Sequence, residues 1–263
     1  MNIGRKDVAW SYLSLLMVQG INIILLPVII RYLNTVELGL WYTFTSLYGL
    51  AMLIDFGFQT IISRNVSYLW SGANSVKSEG FELATSENST LNIPYFSKVL
   101  STVKFIYTSM GIIIFILFSI FGTWYMFNIN SGQIDIKTML IAWIFYMFSI
   151  VLNISFSYWN SILKGIGAIK TYNQILVVTK LTQLIISVVL LFLGYGLIGV
   201  SVAYFISVIV NRLLQSFSYY NYSHETKKTK HKIKVKYDKE IFQAILPNTS
   251  VSYTHLTLPT NRE

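Results

Sequence analysis

The stretch YNQILVVTKLTQLIISVVLLFLGYGLIGVSVAYFISVIVNRLLQSFSYYNY, residues 172–222, decides the fold class. It holds two apolar runs, at about residues 172–193 and 198–222. Each is at least as long as the roughly 20 residues a helix needs to cross the hydrocarbon core of a bilayer. Gly194, Gly196 and Gly199 leave only a very short turn between the runs, so the two helices are expected to be antiparallel neighbours. Working outward, four more runs qualify, at about residues 8–33, 38–62, 105–127 and 136–163. Pro27 lies inside the first; it removes a backbone donor and crowds the preceding turn, so a kink is expected near it. The reading is an all-α membrane protein with six transmembrane helices.

Composition agrees. Of 263 residues, 54% are hydrophobic and 12% charged, against about 25% charged in a typical soluble domain. Mean hydropathy is +0.55. The chain carries 18 Tyr and 6 Trp, side chains that favour the headgroup zone. The formal net charge of +9 sits in clusters between apolar spans, which speaks for membrane topology and against a nucleic-acid partner. The absence of Cys excludes disulfides, thiolate metal sites and a Cys nucleophile. The run after Arg5 and Lys6 is too long for a cleavable signal, and no small-residue cleavage site follows it.

Loop charges orient the spans. Excess Lys and Arg stay on the cytoplasmic side. Arg5 and Lys6 precede the first span; Arg64, Lys77, Lys98 and Lys104 follow the second; Lys164 and Lys170 follow the fourth; seven lysines from Lys227 to Lys239 follow the sixth. The alternate loops hold only Arg31 and Lys137. The expectation is a multi-pass protein of a bacterial inner (cytoplasmic) membrane with its N-terminus cytoplasmic. Residues 71–92, rich in Ser, Glu and Asn, read as a mobile loop. After Pro94, the apolar face of Tyr95, Phe96, Val99, Leu100 and Val103 reads as an amphipathic stretch lying on the membrane surface. The lysine-rich segment reads as a solvated loop attracted to anionic headgroups.

Domain boundaries follow: residues 1–223 form a six-helix bundle, 224–240 a basic cytoplasmic linker, and 241–250 the start of a truncated seventh helix. Residues 251–263, VSYTHLTLPTNRE, resemble translated sequencing-adapter sequence and read as a non-native tail.

Catalytic motifs are few. His224, His231 and His255 lack zinc-ligand spacing. Gly165, Gly167, Lys170 and Thr171 resemble a phosphate loop only faintly, because Ile169 stands where glycine must precede the lysine; tight helix–loop packing accounts for these glycines. There is no Gly-x-Ser-x-Gly elbow and no paired-carboxylate constellation. The chain therefore reads as a non-enzyme without cofactor or metal.

Charges inside spans carry the functional signal. Asp55, Lys180 and Arg212 sit within apolar runs, and Arg31 and Arg64 at their edges. An unpaired charge in lipid costs at least about 2.5–3.5 kcal/mol on insertion scales, so such groups face a bundle interior or a wet cavity. One reading is a cation-lined cavity for an anionic solute, with Arg212, Lys180, Arg31 and Arg64 as substrate-binding residues. The other is snorkelling toward the interface, open to Arg64 and Lys180 above all. Asp55 reads either as a coupling-ion site or as a structural ion pair or helix-end contact.

Four strings then point one way: LLPVIIRYLNTVELGLW from Leu25, LIDFGFQTIISRNVS from Leu53, ILKGIGAIKTYN from Ile162 and LGYGLIGVSVAY from Leu193. In order and spacing, residues 7–247 resemble the polysaccharide-biosynthesis membrane transporters, the O-antigen flippase type of the multidrug/oligosaccharidyl-lipid/polysaccharide flippase superfamily. The resemblance implies about twelve to fourteen helices in two bundles around a central cavity, of which this chain is the N-terminal bundle. It further implies translocation of undecaprenyl-diphosphate-linked oligosaccharide by alternating access coupled to a proton or sodium ion, with membrane lipids as further partners. A multidrug or toxin cation antiporter of the same fold, and a lipid-linked peptidoglycan-precursor flippase, are the alternatives within the superfamily. A membrane glycan polymerase or ligase is the alternative outside it, disfavoured by short external loops.

Overall fold

The structure is a computed structural model that describes residues 5–55, 57–77, 80–82, 91–130, 134–230 and 232–245. Helices dominate it: α1 (Arg5–Tyr32), α2 (Thr35–Met52), α3 (Phe58–Trp70), α4 (Ile93–Leu117), α5 (Thr123–Asn130), α6 (Ile136–Ser155), α7 (Tyr158–Gly165), α8 (Ile169–Phe192), α9 (Gly196–Tyr220) and the short α10 (His224–Lys228). Among the described residues, five helical stretches are long and apolar enough to cross a membrane; α2 and α3 taken as one span make a sixth.

Two expectations about the spans change. The second span is interrupted: α2 gives way to a 3₁₀ turn at Leu53–Asp55, and α3 begins after Gly57. Gly57 has φ +77°, a left-handed conformation that an α-helix interior cannot contain and that glycine adopts without a Cβ clash. The stretch after Pro94 is not a separate surface helix. It is the first part of α4, and its apolar face is buried at Phe96, Val99, Leu100 and Val103. α1 continues helical through Pro27. Within residues 71–92, Ser75–Lys77 pairs antiparallel with Gly80–Glu82; residues 78–79 and 83–90 lie outside the described residues, as does the tail from residue 246. Residues 239–245 are helical, where the seventh helix is expected to begin.

The described residues group into two compact units interleaved along the chain. The first comprises Met1–Ile54, Ser109–Phe156 and Ile169–Phe217. Its largest interhelical packing is α1 against α8. Its core gathers Leu25, Trp41, Phe44, Trp143, Tyr146, Leu191 and Val200, with Trp41 edge-on to Tyr146 at 5.4 Å between ring centroids. The α8–α9 hairpin forms as the glycines predict, with positive φ at Gly194 and Gly196. Asn211 donates to Thr179 Oγ1 at 2.9 Å, and the two residues are equidistant in sequence from Tyr195. Asn34 and Glu37 form a reciprocal cap at the start of α2. The second carboxylate oxygen of Glu37 accepts the Leu197 N–H at 3.5 Å, so one side chain serves the starts of both α2 and α9.

The turn between α4 and α5 departs from α geometry: Phe118–Gly122 forms a π turn. The Trp143 indole packs there: a Cβ on Gly122 would lie 2.6 Å from its ring, and its N–H donates to Thr123 Oγ1 at 3.0 Å. Phe118 and Phe121 face Leu47 and Leu50 of α2 across an apolar groove of about 580 Å³.

The second unit comprises Asp55–Thr108, Ser157–Ala168 and Ser218–Glu263. Here α3 packs on α7. Gly165 makes that approach close enough for a Cβ to fall 2.5 Å from Val66 and 2.7 Å from the Ser63 carbonyl oxygen. Gly167 turns the chain with φ +83°. Gly165 therefore serves close packing and Gly167 a turn, in keeping with the tight helix–loop packing expected from the sequence. Trp159 lies 5.0 Å from Tyr219, whose hydroxyl meets Thr229 at 3.0 Å.

Candidate functional site

Polar side chains inside the first unit follow helical spacing. Thr179, Gln183 and Ser187 recur every fourth residue on α8, and Ser207, Asn211 and Gln215 do the same on α9; all six are buried. Residues four apart share a helix face, so each helix carries a polar stripe in an otherwise apolar span.

Arg212 follows Asn211 of the α9 stripe and is only 8% exposed. Its guanidinium donates to Gln215 Oε1 at 2.8 Å and to the Asn153 main-chain oxygen at 2.7 Å. A further contact joins it to Asn153 Oδ1. Asn153 in turn donates from its side-chain amide to the hydroxyls of Tyr48 at 3.1 Å and Tyr204 at 3.5 Å. Tyr204 stacks on Tyr146 with ring centroids 5.1 Å apart. The result is a cluster of one guanidinium, two amides and phenol hydroxyls drawn from α2, α6 and α9.

The other sequence candidates are placed differently. Lys180, on α8, is half-buried and donates to Gln183 Oε1 at 3.0 Å. Arg31, in the last turn of α1, and Arg64, on α3, are exposed. Asp55, in the second unit, accepts the Tyr107 hydroxyl at 2.7 Å and is hydrogen bonded by Gln59. Among the described residues it is a helix-break contact and not an ion pair. No group of three or more His, Asp or Glu side chains suited to a metal occurs among the described residues.

No family model, curated protein or solved structure matches this chain.

The sequence reading overlooked Asn153, Gln215, Tyr48 and Tyr204. A signal for two of them exists: Asn153 is an amide within the apolar run of α6, and Gln215 lies three residues from Arg212 on the same helix. Amides inside spans mark interhelical hydrogen bonds.

Proposed function

We propose that this chain is the N-terminal six-helix bundle of a flippase that moves undecaprenyl-diphosphate-linked oligosaccharide across the cytoplasmic membrane by ion-coupled alternating access. The observation that carries the reading is the burial of Arg212 in the Asn153–Tyr48–Tyr204 cluster. A guanidinium keeps its charge when buried, and its planar fork suits the paired oxygens of a diphosphate. Hydroxyls and tyrosine rings beside it offer sugar-compatible surfaces. The four strings of family-like sequence supply the substrate class. Lys180 is a second cation on the neighbouring helix α8, Arg31 and Arg64 are further candidate substrate-binding cations, and Asp55 is the candidate for the coupling ion.

Complementation of a flippase-deficient strain with the native gene tests this. At matched membrane levels, Arg212→Ala and Lys180→Ala lose export, and Arg212→Lys restores part of it. Wild-type export by the Arg212→Ala/Lys180→Ala double variant removes the cationic-cavity mechanism. Retained drug-cation efflux with no glycan export assigns the fold to the antiporter branch instead.

A further inference from the structure

The lysine-rich segment after α10 is not a free loop. Thr226 and Thr229 are buried, Ile233 is 9% exposed, and the Lys234 N–H donates to Ser101 Oγ of α4 at 3.1 Å. Tyr237 packs between Phe105 and Phe242, with ring centroids 5.5 Å and 5.4 Å away. In the sequence KIKVKYD, Lys232, Lys234 and Lys236 alternate with apolar residues. All three line a cleft of about 380 Å³ whose other wall is α4, with Lys98, Ser97 and Ser101. That volume is within the range of small-ligand sites, about 300–1,000 Å³.

Two features mark the cleft as a site for an anion. First, four lysines line it, and none has an acidic partner within salt-bridge range among the described residues. Asp238 also lines it, but its carboxylate accepts the N–H groups of Glu240 and Ile241 at 3.1 Å and 3.2 Å, capping the following helix. Cations gathered around one cleft repel one another, and a bound anion offsets that repulsion. Second, Ser97 is 4% exposed and its hydroxyl has no hydrogen-bond partner among the described residues. The neighbouring hydroxyls of Ser101 and Thr102 are turned back onto the Ser97 and Lys98 carbonyls. A buried hydroxyl left unpaired is destabilising, and a ligand oxygen relieves it.

Lys98 and Lys104 precede the long apolar run of α4, and basic residues at the end of a span are drawn to anionic headgroups.

We infer that this cleft binds a phosphate group, and specifically the phosphodiester of an anionic lipid headgroup, held by Lys98, Lys232, Lys234 and Lys236 over the Ser97 hydroxyl. The inference is independent of the transport reading.

The test uses the full chain purified in detergent and native mass spectrometry of lipid adducts, with dioleoylphosphatidylglycerol against dioleoylphosphatidylcholine. The wild type retains phosphatidylglycerol preferentially. Lys232→Gln/Lys234→Gln/Lys236→Gln lowers that retention about a hundredfold, given about 1 kcal/mol for each of three basic residues at an anionic surface. Ser97→Ala lowers it by a smaller factor at unchanged net charge. Lys227→Gln/Lys228→Gln/Lys230→Gln removes the same charge from the same segment outside the cleft and leaves retention near wild type. Equal losses in the two triple variants, at matched thermal midpoints, overturn the site in favour of diffuse attraction. Inorganic phosphate is the second arm. Lipid adducts that survive millimolar phosphate support the headgroup; displacement by phosphate in the wild type, with phosphate binding abolished in the cleft triple variant, retains the phosphate site and overturns the lipid assignment.

Discussion

The Arg212 guanidinium donates to the main-chain oxygen of Asn153, in the last turn of α6, at 2.7 Å. Carbonyls in a helix's last turn lack a full set of intrahelical donors, and that end of the helix favours a cation. Arg212 therefore joins α9 to α6 as well as placing a charge.

Removing it has a structural consequence apart from transport. Arg212→Met keeps the length and strips the donors from the half-buried Asn153 oxygens and the buried Gln215 oxygen. The expected loss is about 1–3 kcal/mol, read as a lower thermal midpoint in detergent, with Arg212→Lys in between. An unchanged midpoint for Arg212→Met sinks the bridging role.

Gly165→Ala tests the α3–α7 contact. The new methyl meets Val66 and the Ser63 carbonyl below contact distance, and the backbone atom cannot rotate away. Overpacking of this kind costs about 1–3 kcal/mol. Gly20→Ala is the control: a Cβ there meets nothing within 4 Å, and helix propensity favours it by up to about 1 kcal/mol. Equal midpoints for the two variants contradict the close approach.

Asp55 and Tyr107 separate structure from coupling. Asp55→Asn keeps an oxygen for the Tyr107 hydroxyl and removes the ionisable group. Under the proposed function it reaches the membrane at normal levels and fails to export, whereas Tyr107→Phe exports at reduced stability. Normal export by Asp55→Asn confines Asp55 to holding the helix break.

Topology follows from the alternation of basic loops. Reporter fusions at the N-terminus, within residues 83–90 and near Lys230 are expected to give cytoplasmic signals, and a fusion at Tyr195 an external one. An external signal from residues 83–90 reverses the orientation.

The spans were legible because apolar length is a property of sequence alone. The break after Met52 was not, since hydropathy does not register the left-handed backbone that Gly57 adopts. The stretch from Pro94 shows a related gap. Periodicity identified the face of Phe96, Val99, Leu100 and Val103, and that face is buried, but periodicity does not say whether protein or lipid covers it. In the candidate site, charge singled out Arg212 within α9. Asn153 carries as many of the contacts and, being uncharged, is marked only as an amide in an apolar run.

The π turn at Phe118–Gly122 has an arithmetic consequence. A π turn holds one residue more than the α turn it replaces, and each residue advances a helix by about 100°. Residues 123–130 are thus out of phase with α4 by a little over a quarter revolution, and that offset aims Thr123 at the Trp143 indole. Deleting a single residue from 118–122 would restore a regular helix and rotate α5 as a block, so the extra residue acts as the phase setting for everything between the turn and Asn130.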